Sequence, residues 1–183
     1  EAEQLNKQLA PFQIFRGTEA DIPSDGSLDY RHLFLRSFDF VVVSVHSNFT
    51  QTREQMTERV CRAVSNPAAT ILGHPSGRLL LDRKPYQIDL EQVLDAAAES
   101  GIVIEINANP YRLELSWELL AAAKERGIKI AINPDAHSVS QIDYLKYGVL
   151  IARKGGLTAE DVFNTMDRAS IAKYLSARRQ VTE

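Results

Sequence analysis

Short apolar runs alternate with longer amphipathic segments along most of the chain. FDFVVVSVHS (38–47), ATILGHPSG (69–77), IVIEINANP (102–110) and IKIAINPDAHS (128–138) gather β-branched and aromatic residues without a polar alternation. That pattern suits strands of a parallel sheet covered on both faces. FQIFRGTEADI (12–22) is a further apolar-rich stretch, and YGVLIARKGG (147–156) reads as one more strand. Between these runs the spacing turns helical. TREQMTERVCRAV (52–64) sets Met56, Val60 and Val64 on one face. IDLEQVLDAAAESG (88–101) has Asp89 as N-cap and Gly101 as its stop, and LSWELLAAAKERG (115–127) has Ser116 and Gly127 in those places. EAEQLNKQLA opens the chain as a helix. TAEDVFNTMDRASIAKYLSARR (158–179) closes it as one or two helices, with Thr158 as N-cap. PSDGSLDY (23–30) is a turn centred on Asp25 and Gly26. Strand alternating with helix predicts an α/β fold with a mainly parallel sheet, in one domain over residues 1–183.

The strands share a feature at their ends. Glu19 follows FQIFRG, His46 follows FDFVVVSV, His74 follows ATILG, and Asp135 and His137 follow IKIAINP. In parallel α/β folds the functional site lies at the C-terminal ends of the strands, so these residues converge on one rim. Imidazole with carboxylate suits zinc, manganese or iron. Asp135 and His137, two apart, share a face if the chain is extended there, and Glu19 could bridge two ions. Paired ions activate a water and hold the oxygens of a phosphate ester. Each residue taken singly also fits a hydrogen-bonded loop histidine, a turn-capping aspartate or a solvated carboxylate. Three of the chain's four histidines sit at strand ends, which favours the joint site.

Other residues divide between site and scaffold. Asn107 shares a strand face with Glu105 and, nearer the rim, is placed to orient substrate; Glu105 reads as structural, paired with a neighbouring cation. Arg78 in HPSGR and Arg112 in NPYR follow strands directly, and fit either bidentate phosphate binding or surface ion pairs. Arg153 and Lys154 stand open to the same two readings. His32 reads as outside the site, Trp117 as core and Cys61 as a buried structural thiol.

Composition narrows this little. Over 183 residues the net charge is −3, which excludes a domain that grips DNA by bulk positive field but not a nucleic-acid substrate met at a local basic rim or through metal ions. The single cysteine forbids an internal disulfide. No apolar run spans a membrane and no leader opens the chain, so a cytoplasmic protein is expected.

GTEADIPSDGSLDY, FDFVVVSVHS, ILGHPSGRLL, EINANPYRLEL and INPDAHS, in this order, resemble the PHP (polymerase and histidinol phosphatase) domain, and most closely the C-terminal PHP domain of bacterial family X DNA polymerases. The resemblance covers about Phe12 to Gly156. It implies a distorted seven-stranded, TIM-like β/α barrel holding up to three ions, manganese or zinc, with Glu19, His46, His74, Asp135 and His137 as ligands. It further implies 3′-5′ exonuclease or related phosphoesterase activity on DNA, with polymerase domains in the same parent chain as partners. Asn107, Arg78 and Arg112 follow as substrate-side residues. A phosphatase of the histidinol phosphatase kind and an inactive structural module are the alternatives. The pattern's opening His-x-His strand, and the acidic residue and His after it, are not found here. The barrel is thus expected to be incomplete at its N-terminus, with open sheet edges.

Overall fold

The computed structural model describes residues 1–180. In chain order the elements are α1 (Ala2–Gln8), β1 (Gly17–Asp21), α2 (His32–Leu35), β2 (Phe40–Ser44), α3 (Arg53–Val64), β3 (Ile71–Leu72), α4 (Leu90–Ser100), β4 (Val103–Asn107), α5 (Trp117–Glu125), β5 (Ile130–Asn133), α6 (Leu145–Lys154) and α7 (Arg168–Gln180). Short 3-10 turns occupy Val139–Tyr144, Ala159–Asp161 and Phe163–Thr165. The five strands form one sheet in the order β1-β2-β3-β4-β5, and all four pairings are parallel. Five strands are thus present among the described residues, against the seven of the barrel expected from the resemblance. No helix among these residues is long and apolar enough to cross a membrane.

Strand alternation divides the sheet into two faces. Val41, Val43, Leu72, Ile104, Ile106, Ile130 and Ile132 point to the face covered by α3 to α6 and build the main core with Met56, Val60, Leu94 and Leu120. Phe40, Val42, Ile71, Val103 and Ala131 point to the other face, where Phe163 and Leu175 pack on them. This second face changes character along the strands. Toward their C-terminal ends its apolar positions give way to Ser44, Gly73, Glu105, Asn107 and Asn133. Parallel register lines these polar positions up across the sheet, and the site is built there.

Helix boundaries follow local chemistry. Thr52 and Gln55 form a capping box that starts α3, Asp89 accepts from the Gln92 N–H at the start of α4, and Gly101 ends that helix at φ 66°. Segment 147–156, expected as a strand, belongs instead to α6. Its apolar run is too short for periodicity to tell strand from helix. Packing decides it: Gly148 and Ala152, one turn apart, are buried, and a Cβ on Gly148 would come within 2.5 Å of Ile132 and 2.8 Å of Ala108. The small face lets the helix lie close on β4 and β5.

One sheet edge is covered. Ile130 pairs with Val162, while the Asn164 amide donates to the Ile132 carbonyl and its Oδ1 accepts from the Ile132 N–H at 3.0 Å. One side chain thus occupies hydrogen-bonding groups of β5 that a further strand would otherwise take.

Candidate metal centre

Glu19 on β1, His46 just after β2 and His74 just after β3 meet at the C-terminal edge of the sheet. One ligand atom from each lies within 4.8 Å of the others. The Glu19 carboxylate oxygen Oε1 is 3.2 Å from His74 Nε2 and 3.5 Å from His46 Nε2. The two rings meet edge-on with centroids 5.0 Å apart. His74 is buried, whereas Glu19 and His46 face solvent.

The group fits a divalent ion on its own chemistry. Asp21 Oδ1 lies 2.5 Å from His46 Nδ1, so the carboxylate favours a proton on that nitrogen and, in the neutral ring, frees Nε2 to bind a metal ion. Nε2 and the Glu19 carboxylate oxygen then face one another at 3.5 Å, where a cation would be held by both. A carboxylate behind a ligating imidazole is also the usual way its orientation and basicity are set. The hydrogen bond from His74, with the nearby imidazoles, holds the Glu19 carboxyl down at about 2 against the ordinary 4.5, despite partial burial that works the other way. Glu19 is therefore an anion at neutral pH, as a ligand must be.

Backbone geometry supports this edge. His74 has φ 28° and Asp135 φ 51°, conformations that side-chain-bearing residues adopt at a cost and that cluster at functional sites. Gly73 admits the close packing beside His74, since a Cβ there would lie 2.5 Å from Ser44 Oγ. Arg59, from α3, is buried and donates to the carbonyls of Ile22 and Ser47 and to Gln51 Oε1 at 2.9 Å. It thereby ties together the turns that follow Asp21 and His46.

Asp135 and His137 stand outside the three-residue group. Asp135 Oδ2 accepts from Asn107 Nδ2 at 3.1 Å and lies 3.5 Å from Arg112 Nε. His137 points to solvent, its side chain 79% exposed, with Nδ1 2.9 Å from the Asp135 carbonyl. Arg112 is mostly buried between Asp135 and Glu114, whose Oε1 is 3.7 Å from its Nη1. Arg78 donates to the carbonyls of Arg112, at 2.8 Å, and of Leu113, so its guanidinium latches the loop after β4.

Two readings are corrected. Among the described residues Glu105 has no Lys or Arg partner: it accepts from the His74 N–H at 2.8 Å and from Asn133 Nδ2 at 2.9 Å, and burial raises its pKa. Trp117 is exposed rather than core, with Lys154 Nζ 4.3 Å from its ring centroid. Arg153 and Lys154 close α6, and neither is in the Glu19, His46 and His74 group. Asp21 and Arg59 were not singled out from sequence. Asp21 sits two residues beyond Glu19 on the same strand face, and that spacing was the available signal.

Fold and site together define an α/β protein with a His and carboxylate group that could hold a metal ion at the C-terminal edge of a parallel sheet. No family model matches the chain. It is 38% identical over 175 residues to the DNA polymerase/3′-5′ exonuclease PolX of Bacillus subtilis (strain 168), covering 96% of this chain and 31% of that protein. It is 30% identical over 186 residues to a probable phosphatase of Thermoanaerobacter sp. (strain X514), covering 96% of this chain and 73% of the relative. A probable phosphatase of Clostridium acetobutylicum is 29% identical over 184 residues, covering 96% and 72%. The chain belongs to the family of the Thermoanaerobacter probable phosphatase. It spans about a third of the length of the Bacillus protein and nearly three quarters of the phosphatases.

Proposed function

We propose that the chain is a metal-dependent phosphoesterase domain of PHP type acting on DNA 3′ ends as a 3′-5′ exonuclease, within a parent protein that also carries polymerase domains. The observation that carries this reading is the Glu19, His46 and His74 group at the strand ends. These three residues hold one ion, and Asp135 and His137 contribute to a second position on the same rim. Manganese or zinc fits the donor set. When bound, such an ion polarises a phosphoryl oxygen and activates water for in-line attack. Asp21 keeps the His46 lone pair aimed at Glu19. Arg112 and Asn107 stand on the substrate side, and Arg78 shapes the loop that carries Arg112. The same reading takes the five strands as part of a distorted seven-stranded β/α barrel.

A second reading, hydrolysis of a small phosphomonoester, is favoured by the phosphatase names of relatives that the chain covers over most of their length. Manganese-loaded protein is offered single-stranded DNA labelled at its 5′ end and, separately, p-nitrophenyl phosphate. Progressive shortening of the DNA, abolished by Asp135→Ala, is the expected result. Turnover of the monoester alone establishes the second reading. No turnover of either, with metal bound, leaves a non-catalytic module.

A further inference from the structure

Glu105 is the central residue of β4 and is buried. Among the described residues every hydrogen bond to its carboxylate comes from an N–H donor. Oε2 accepts from the His74 main chain at 2.8 Å and from Asn107 Nδ2 at 3.2 Å, and Oε1 accepts from Asn133 Nδ2 at 2.9 Å. The orientation of the Asn107 amide is itself set, because its Oδ1 accepts from the Asn109 N–H at 3.1 Å. Its NH2 group therefore faces two carboxylates at once: Glu105 Oε2 and, at 3.1 Å, Asp135 Oδ2. A continuous path runs from the His74 N–H through Glu105 and Asn107 to Asp135. Both ends of that path are residues in the left-handed region, His74 at φ 28° and Asp135 at φ 51°.

We propose that Glu105 is a positioning residue that holds the His74 turn and the Asp135 turn in register, so that both present their side chains to metal ions on one rim. The inference rests on the metal-centre reading above. The strained His74 conformation turns its N–H inward, and a buried acceptor with two oxygens is what that donor and two amides require. Glutamine at this position keeps the shape but sets an NH2 where an oxygen now meets N–H donors. With the NH2 on the Oε2 side the conflict falls on the path, and on the Oε1 side it falls on the Asn133 amide that anchors the carboxylate.

The test is a titration with cobalt(II), followed by its visible absorption, of wild type, Glu105→Gln and Leu120→Ala. Leu120 is fully buried in the main core under the opposite sheet face, so its truncation supplies a loss of stability without touching the path. Loss of an outer-shell partner typically weakens metal binding about 10- to 100-fold. Glu105→Gln is expected to lose affinity in that range and to change the absorption band shape, while folded Leu120→Ala binds as wild type does. If Glu105→Gln does not fold, Asn107→Ala carries the test, with a loss of about tenfold expected from the broken arm to Asp135. Unchanged affinity in whichever of these two variants folds overturns the inference alone, as does an equal loss in Leu120→Ala. A wild-type chain that binds no cobalt(II) overturns the metal-centre reading, and the inference falls with it.

Discussion

The two halves of the strand-end rim differ in how far they are organised. On the β1 to β3 side Glu19, His46 and His74 already gather within 4.8 Å, and Asp21 fixes one imidazole from behind. On the β4 to β5 side Asp135 is engaged by Asn107 and Arg112, and His137 swings out to solvent. The difference follows from what carries each side chain. Glu19 extends directly from a strand, His46 and His74 follow adjacent strands closely, and the loops beyond Asp21 and His46 are anchored by buried Arg59. His137 sits four residues past the end of β5, in a turn whose local bonds are to Gln141 and its own neighbour Asp135. Preorganisation thus tracks closeness to the sheet, and an ion should fill the two halves unequally.

The largest expected effect separates them directly. His74→Ala removes a ligand from the organised half and should lower affinity for the first manganese or zinc ion by at least about 100-fold, beyond what an outer-shell partner contributes. His137→Ala should leave that first ion in place, within a factor of a few, and reduce the stoichiometry reached at high metal concentration. Elemental analysis after gel filtration, across a range of loading concentrations, reads both. Equal losses in the two variants would mean that the halves act as one site from the outset.

A smaller effect is expected at Asp21. Asp21→Asn keeps the volume but replaces the carboxylate that accepts the His46 ring hydrogen bond. First-ion affinity should fall by about 10-fold, with the fold intact by circular dichroism. An unchanged affinity would make the short Asp21–His46 contact an incidental surface pair, since ion pairs at exposed positions are typically weak.

How much of this was legible in the sequence depends on the residue. His46 and His74 were marked because a continuous apolar run stops at each of them, and a parallel sheet sends such stops to one edge. Asp135 was marked in the same way, but its separation from the first group was not: distance across a sheet depends on strand order and loop conformation, neither of which periodicity encodes. Asp21 was hidden because the polar residues beside it read as the start of a turn. Arg59 was hidden more deeply, as an arginine on an amphipathic helix looks like a solvated face until the loops that cover it are in place. Segment 147–156 went wrong for a further reason: Val149, Leu150 and Ile151 favour a strand locally, while Gly148 and Ala152 favour a helix only once β4 and β5 lie beneath them. Glu105 was read as structural, and its position on the Asn107 face was clear. Its partners were not, because one is a main-chain N–H and the Asn133 amide reaches it only through the pairing of β4 with β5.

The smallest expected effect concerns acid, and it sets the rim against the hub. Glu19 titrates at about 2 in the folded chain against an ordinary 4.5, so its interactions stabilise the fold fully above the ordinary value and are lost as pH falls toward 2. Glu105 has the opposite sign: burial raises its folded pKa, so uptake of a proton on acidification favours the folded chain over the unfolded one. The two carboxylates therefore push stability in opposite directions as pH drops. In metal-free protein kept with a chelator, urea unfolding midpoints for wild type and Glu19→Gln should converge between pH 4.5 and about 2, the wild type losing its margin. The margin is small because the Glu19 side chain is 45% exposed and solvent screens its contacts. Parallel midpoint curves across that window would show that the Glu19–His74 contact contributes nothing without metal, and that the organised half of the rim is held together by its loops rather than by its charges.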